Sequence, residues 1–179
     1  MTAQFDDTVV LSNKKYILLQ AVGEGLFLPQ QFGMRPHALG TACYRGFYLT
    51  YSLTENKLFL QDLTLREAHG NYVPINGVTP VIKNSRASYQ HLNLQVQFSG
   101  VIRLVASEIK NFQSPPTMNL RYLARFRSVI DAYLDAGIVT DLEDRSADIR
   151  NARISHYEDD KTSNVISMIE ENFKLSLNR

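Results

Sequence analysis

The spacing of apolar residues changes once along the chain, at the pair Pro115-Pro116. Before this pair, apolar and polar residues alternate, most strictly over residues 47–53, and such alternation is typical of a half-buried β-strand. After it, apolar residues recur every three or four positions, as on one face of an amphipathic helix. We therefore predict an α+β protein whose N-terminal two-thirds form a mainly antiparallel β-sheet, either open or closed into a partial barrel, covered by C-terminal helices.

The length and composition fit one folding unit. The chain has 179 residues, of which 44% are hydrophobic and 21% are charged, as in ordinary globular domains. No internal repeat or linker-like segment divides it. We therefore assign residues 1–179 to a single domain, with a β-rich part at 1–113 and a helical part at 117–179 that packs on it.

The strands predicted around residue 55 form a hairpin whose register has two alternatives. Residues 47–53 and 58–65 are separated by a short polar break. A two-residue loop places Leu58 opposite Leu53, whereas a three-residue loop places Phe59 there instead. We favour the three-residue loop, because it also brings Leu63 and Leu65 to the buried face.

Two further turns are predicted in the β-rich part. Asn76-Gly77 is a strong hairpin signal, but the prolines beside it cannot donate to a ladder, so we expect a sheet edge or a protruding loop. Ser99-Gly100 is predicted to turn the chain, which would pair Phe98 with Ile102 and leave Arg103 outside.

The predicted helical part begins after the prolines. Thr117 can cap a helix that ends at Gly137. A short exposed helix fits within residues 141–160, and Thr162 or Ser163 can cap a last helix. The apolar stripe of the first helix consists of Leu120, Leu123, Phe126, Ile130, Tyr133 and Leu134.

Cys43 is the only cysteine and the only candidate nucleophile that we single out, with His37 six residues upstream as a candidate base. A reactive thiolate needs a nearby cation or base. We favour a buried, inert Cys43, because free cysteine is among the most buried residue types. The four histidines lack metal-ligand spacing and the glycines match no nucleotide motif, so we predict neither a metal nor a cofactor.

Tyr44, Arg45 and Tyr48 are the candidate binding residues. Arg45 precedes a glycine, and its guanidinium could contact a ligand or could form a structural ion pair with Asp62 or Glu67. We favour the ion pair for a lone arginine. If the two tyrosines are exposed beside Arg45, the group has the Tyr and Arg character of an interface hot spot.

The block from Thr41 to Phe47, which contains Cys43, Tyr44 and Arg45, resembles a motif of small uncharacterised bacterial proteins. In these proteins a Cys-aromatic-Arg-Gly-aromatic block leads into a β-hairpin. The resemblance implies a binding or immunity-type partner rather than an enzyme, and it carries no assigned activity.

The chain is therefore predicted to be a non-catalytic cytoplasmic binding module that holds a protein partner. A lone cysteine and the absence of a leader or membrane-spanning run favour the cytoplasm and no membrane association. A net charge of +1 with scattered cations disfavours nucleic acid, while a homo-oligomer fits the sequence as well as a monomer. The alternative is a small-ligand protein or weak cysteine-dependent hydrolase, whose cavity lies between the sheet and the helix near Thr117.

Overall fold

The computed structural model describes residues 5–110 and 123–151, and these residues form a ten-stranded sheet. A 3-10 helix covers Pro29–Phe32, and a short helix begins at residue 146. The strands are β1 (Thr8–Leu11), β2 (Lys14–Glu24), β3 (Phe47–Thr54), β4 (Lys57–Leu65), β5 (Val81–Lys83), β6 (Arg86–Tyr89), β7 (Leu94–Gln95), β8 (Ser99–Glu108), β9 (Phe126–Asp135) and β10 (Ile138–Asp144).

The sheet curls until its two sides meet. Its strand order is β10-β9-β8-β2-β1-β3-β4-β6-β5, with β7 also on β4, and all neighbours are antiparallel except the parallel pair β1–β3. At the closure Ile138 of β10 bridges Lys57 of β4. The amide of Leu58 donates to the carbonyl of Gly137 over 2.8 Å. Seven strands therefore form a ring, which β6 and β5 extend on one side.

The predicted helical cover is wrong where the structure describes the chain. The stripe from Phe126 to Leu134 lies on β9, between β8 and β10, and residues 138–144 continue the sheet as β10. β9 is buried on both faces, so its apolar residues do not alternate cleanly and their spacing resembles that of a helix. The predicted cap Thr117 and the last helix lie outside the described residues.

The β3–β4 hairpin combines the two registers that the sequence allows. Its loop has two residues, both with positive φ, and Leu53 pairs with Leu58, so the preferred three-residue loop is wrong. Farther along, a bulge at Gln61 shifts the pairing by one residue. The predicted inward positions of Leu63 and Leu65 are therefore confirmed, because the bulge turns them to the same face as Leu58.

Two later predictions meet different outcomes. Asn76-Gly77 forms a turn closed by one isolated bridge between Ile75 and Val78, and Ile75 is buried in the core rather than in a protruding loop. Ser99-Gly100 does not turn the chain, since both residues begin β8, which pairs with β2 and β9. The predicted pairing of Phe98 with Ile102 is consequently wrong.

The apolar core has two parts, one on each side of the sheet. The larger part fills the ring and includes Tyr51, Leu60 and Ile102, and the smaller part lies outside the ring. Its members are Val105, Leu123, Phe126, Val129 and Ile149, the last of which belongs to the short helix that begins at residue 146.

Arg103 also lies on this outer side, but it is buried rather than solvent-exposed as the sequence predicted. Its guanidinium donates two hydrogen bonds of 2.6 Å to Asp131, the residue directly opposite on β9. The side chains of Arg103 and Asp131 are 3% and 1% exposed.

Candidate functional site

One end of the ring carries the candidate residues. β1 and β3 begin there and β2 and β4 end there, and residues 25–46 cross it between β2 and β3. Phe27 and Met34 of this crossing segment are buried in the core and close the end of the ring. The segment is tied to the chain beyond β4, where the amide of His37 donates to the carbonyl of Arg66 over 2.7 Å.

Arg45 is fixed by Asp7, not by Asp62 or Glu67 as the sequence suggested. Its guanidinium forms a two-pronged ion pair with the Asp7 carboxylate, and its Nε donates to the carbonyl of Phe47 over 2.7 Å. The same carboxylate accepts the backbone N–H of Leu49 over 2.7 Å. Such a fork locks the Arg45 side chain, although 42% of it is exposed.

Aromatic rings lie beside this ion pair. Phe5 stacks on Tyr48 with ring centroids 5.2 Å apart, and its amide donates to the carbonyl of Ala42 over 2.7 Å. Phe5 is 55% exposed and Tyr44 is 68% exposed. We call Phe5, Tyr44, Arg45 and Tyr48 the aromatic surface. It contains all three predicted binding residues and adds Phe5.

The candidate nucleophile and base are held in different environments. Cys43 is buried, and its Sγ lies 3.4 Å from the carbonyl oxygen of Phe47, to which it donates. His37 is exposed, and its backbone passes close to that of Gly46. A Cβ on Gly46, whose φ is +81°, would lie 2.5 Å from the His37 carbonyl oxygen, so only glycine fits at this position. A buried thiol bonded to backbone is not arranged for nucleophilic attack.

Two carboxylates at this end have altered pKa values. Burial, followed by the neighbouring Asp7, raises the pKa of Asp6, while Arg45 opposes the shift. For Glu67, desolvation raises the pKa, but the backbone N–H groups of Asn71, His69 and Arg35 outweigh it and hold the pKa below its usual value. Glu67 therefore organises the loop that follows β4.

Thr117, near which the sequence analysis placed a cavity between the sheet and a helix, lies outside the described residues. A shallow apolar cavity of about 270 Å³ lies between β2 and β8, with Ile17, Val105 and Phe126 in its wall. Neither Cys43 nor His37 lines it.

Sequence reasoning missed Asp7 and Phe5. Asp7 is 38 positions from Arg45 in the chain, and only the parallel pairing of β1 with β3 brings the two together. The doublet Asp6-Asp7 immediately before an apolar run was the one available signal, and it is too common to indicate a partner.

No family model, curated protein or solved structure matches the chain. Within residues 5–110 and 123–151, no three His, Cys, Asp or Glu side chains are grouped so that they could hold a metal ion. Among the same residues, no helix has the length and apolar character needed to cross a bilayer.

Proposed function

We propose that the chain is a non-catalytic cytoplasmic protein-binding module and that the aromatic surface contacts its partner. The observation that carries this proposal is the concentration of exposed apolar side chains at one end of the ring. Of the eight large apolar side chains exposed in the described part of the chain, two lie on β10, and the other six are Phe5, Leu28, Phe32, Tyr44, Val81 and Ile82.

These six residues belong to segments that meet at that end. Phe5 precedes β1, and Leu28, Phe32 and Tyr44 lie on the crossing segment. The strand that contains Val81 and Ile82 reaches the same end through β6, whose Ala87 pairs with Leu65 at the end of β4. Exposed apolar residues grouped in this way are typical of interaction sites.

The rigidity of the aromatic surface favours binding further. Tyrosine and arginine are enriched among the residues that dominate binding energies. Here the Asp7 fork fixes Arg45, and stacking fixes Phe5 against Tyr48. A side chain that is already ordered loses less conformational entropy when a partner binds.

The test is affinity capture from the source cells with the full chain as bait. The variant Phe5→Ala/Tyr44→Ala is compared with Ile138→Ala/Leu142→Ala, which removes exposed apolar side chains from β10. We expect one or more proteins to be retained by the wild type and by the β10 variant but lost from the aromatic variant. Circular dichroism verifies that both variants are folded. Equal retention by all three baits would contradict the proposal.

A further inference from the structure

Three cations meet at the corner formed by the β5–β6 hairpin and the crossing segment. Arg66, one residue beyond β4, has its Nη1 3.5 Å from the carbonyl oxygen of Ala38. Arg86, the first residue of β6, has its Nη2 3.2 Å from the carbonyl oxygen of Leu39. The pairing of Leu65 with Ala87 places Arg66, just beyond β4, beside Arg86 at the start of β6.

Lys83 adds a third positive charge. It lies directly opposite Arg86 across the two-residue turn of the hairpin, and both side chains are exposed. Like charges directly opposite each other on paired strands destabilise a hairpin. We call Arg66, Lys83 and Arg86 the cationic corner.

No acidic side chain of the described residues forms an ion pair with the cationic corner. Glu67 is adjacent in sequence to Arg66, but its two oxygens accept backbone N–H groups from Arg35, His69 and Asn71. The guanidinium groups of Arg66 and Arg86 each donate from one nitrogen to a backbone carbonyl, and their other N–H groups are available to a ligand. The corner is therefore an exposed group of cations that has no ion-pair partner in the described part of the chain.

Two exposed apolar residues immediately precede Lys83 on β5. Val81 and Ile82 on β5 are 72% and 57% exposed, although they belong to the same short hairpin as Lys83 and Arg86. The backbone N–H of Leu39 donates to the carbonyl of Cys43 over 3.0 Å, which ties Leu39 to the turn that carries Tyr44. The crossing segment thus contacts the cationic corner through Ala38 and Leu39 and carries Tyr44 and Arg45 of the aromatic surface.

We propose that the partner presents to this corner an acidic polypeptide segment that also contains apolar side chains. Carboxylates match the three cations, and the apolar side chains match Val81 and Ile82. A nucleic acid backbone would satisfy the cations but would leave these two apolar side chains without a counterpart. This inference rests on the proposed function, because it names the chemistry of the partner that the aromatic surface requires.

The test measures binding of the full chain to defined polymers by fluorescence anisotropy at low salt. The probes are a labelled random copolymer of glutamate and tyrosine, labelled polyglutamate of similar charge, and a labelled single-stranded oligonucleotide. We expect the copolymer to bind most tightly and its affinity to fall as salt is added. Tighter binding of the oligonucleotide, equal binding of polyglutamate, or no binding of the copolymer would overturn the inference.

Variants then locate the site. Arg66→Gln/Arg86→Gln removes both charges while leaving a donor for each backbone carbonyl, and we expect it to weaken copolymer binding by about tenfold. Lys57→Gln is the matched control, because Lys57 is exposed at the opposite end of β4, and we expect a change of less than about twofold. Equal effects of the two variants would place the site elsewhere and overturn the inference.

A third variant separates this inference from the proposed function. If Phe5→Ala/Tyr44→Ala weakens copolymer binding and the arginine variant does not, the aromatic surface stands and the cationic corner fails. If only the arginine variant weakens binding, the corner stands and the aromatic surface fails as a contact. Sedimentation of the unlabelled chain adds one more outcome, since a dimer abolished by Arg66→Gln/Arg86→Gln would assign the corner to a second copy and overturn the acidic partner.

Discussion

Replacing Asp131 by asparagine is expected to destabilise the fold more than any exposed charge change. Asp131 is the carboxylate partner of Arg103, and the two side chains are 1% and 3% exposed. The variant replaces the carboxylate that accepts two hydrogen bonds from the buried Arg103, and that also lies 3.7 Å from Nε of Arg145, by a neutral amide. Removing one member of a buried ion pair costs about 3–5 kcal/mol. For a chain of this length, that loss lowers the melting temperature by roughly 6–20 °C.

The measurement is equilibrium unfolding in urea followed by far-UV circular dichroism, since the chain contains no tryptophan. Glu108→Gln, at the end of β8, serves as the control. Glu108 pairs with Arg125, but their side chains are 50% and 41% exposed, so the expected loss is below about 1 kcal/mol. The variant Arg103→Met/Asp131→Leu removes both charges and is expected to be close to the wild type in stability. The reasoning is refuted if Asp131→Asn and Glu108→Gln lose the same free energy of unfolding.

Three further outcomes are expected. Gly137→Ala should lower the free energy of unfolding more than Gly70→Ala does. Both glycines have positive φ, but only at Gly137 would the new Cβ lie 2.0 Å from a carbonyl oxygen, that of Val96. Equal losses in urea would contradict this close approach between Gly137 and Val96. The lowered pKa of Glu67 stabilises the fold above pH 4.5, its ordinary value, and this contribution disappears as pH falls through the lower folded-state pKa; Glu67→Gln should lack this component of acid unfolding, and identical pH profiles would argue against it. Cys43 should react with iodoacetamide only after unfolding in urea, and rapid alkylation of the native chain would disprove its enclosure.

The strand β3 could be predicted because its apolar residues alternate toward one buried face. On β3, Phe47, Leu49, Tyr51 and Leu53 are all buried, as their alternation indicates. The register of the β3–β4 hairpin could not be predicted, because the bulge at Gln61 reconciles two patterns that exclude each other in a regular ladder.

The strand β9 could not be distinguished from a helix by its pattern. Its inward residues include Ala132 and Leu134, and its outward residues Val129 and Asp131 are equally buried. With both faces covered, the two-residue alternation disappears. The burial of Arg103 against Asp131 could not be predicted either, because a charged residue in a strand suggests a solvent-exposed face when only the sequence is considered.

The candidate site was predictable in part. Buried Cys43 agrees with the sequence interpretation, and Arg45 forms a structural ion pair, as favoured, with a partner other than those suggested. The condition that both tyrosines be exposed is met by Tyr44 but not by Tyr48, which is half-buried. The partner of Arg45, Asp7, could not be identified, because the contact depends on a parallel pairing between strands far apart in the chain. The cationic corner depends likewise on where the β5–β6 hairpin meets the crossing segment.

Photo-crosslinking tests most directly whether the aromatic surface contacts a partner. A photoreactive phenylalanine analogue is placed at position 44 in one full-length chain and at position 142 in another, since Tyr44 and Leu142 are both exposed. After irradiation in the source cells, we expect position 44 to yield a discrete crosslinked protein that Phe5→Ala diminishes, and position 142 to yield none. Crosslinks of equal yield at both positions, or from position 142 alone, would contradict the assignment of this surface.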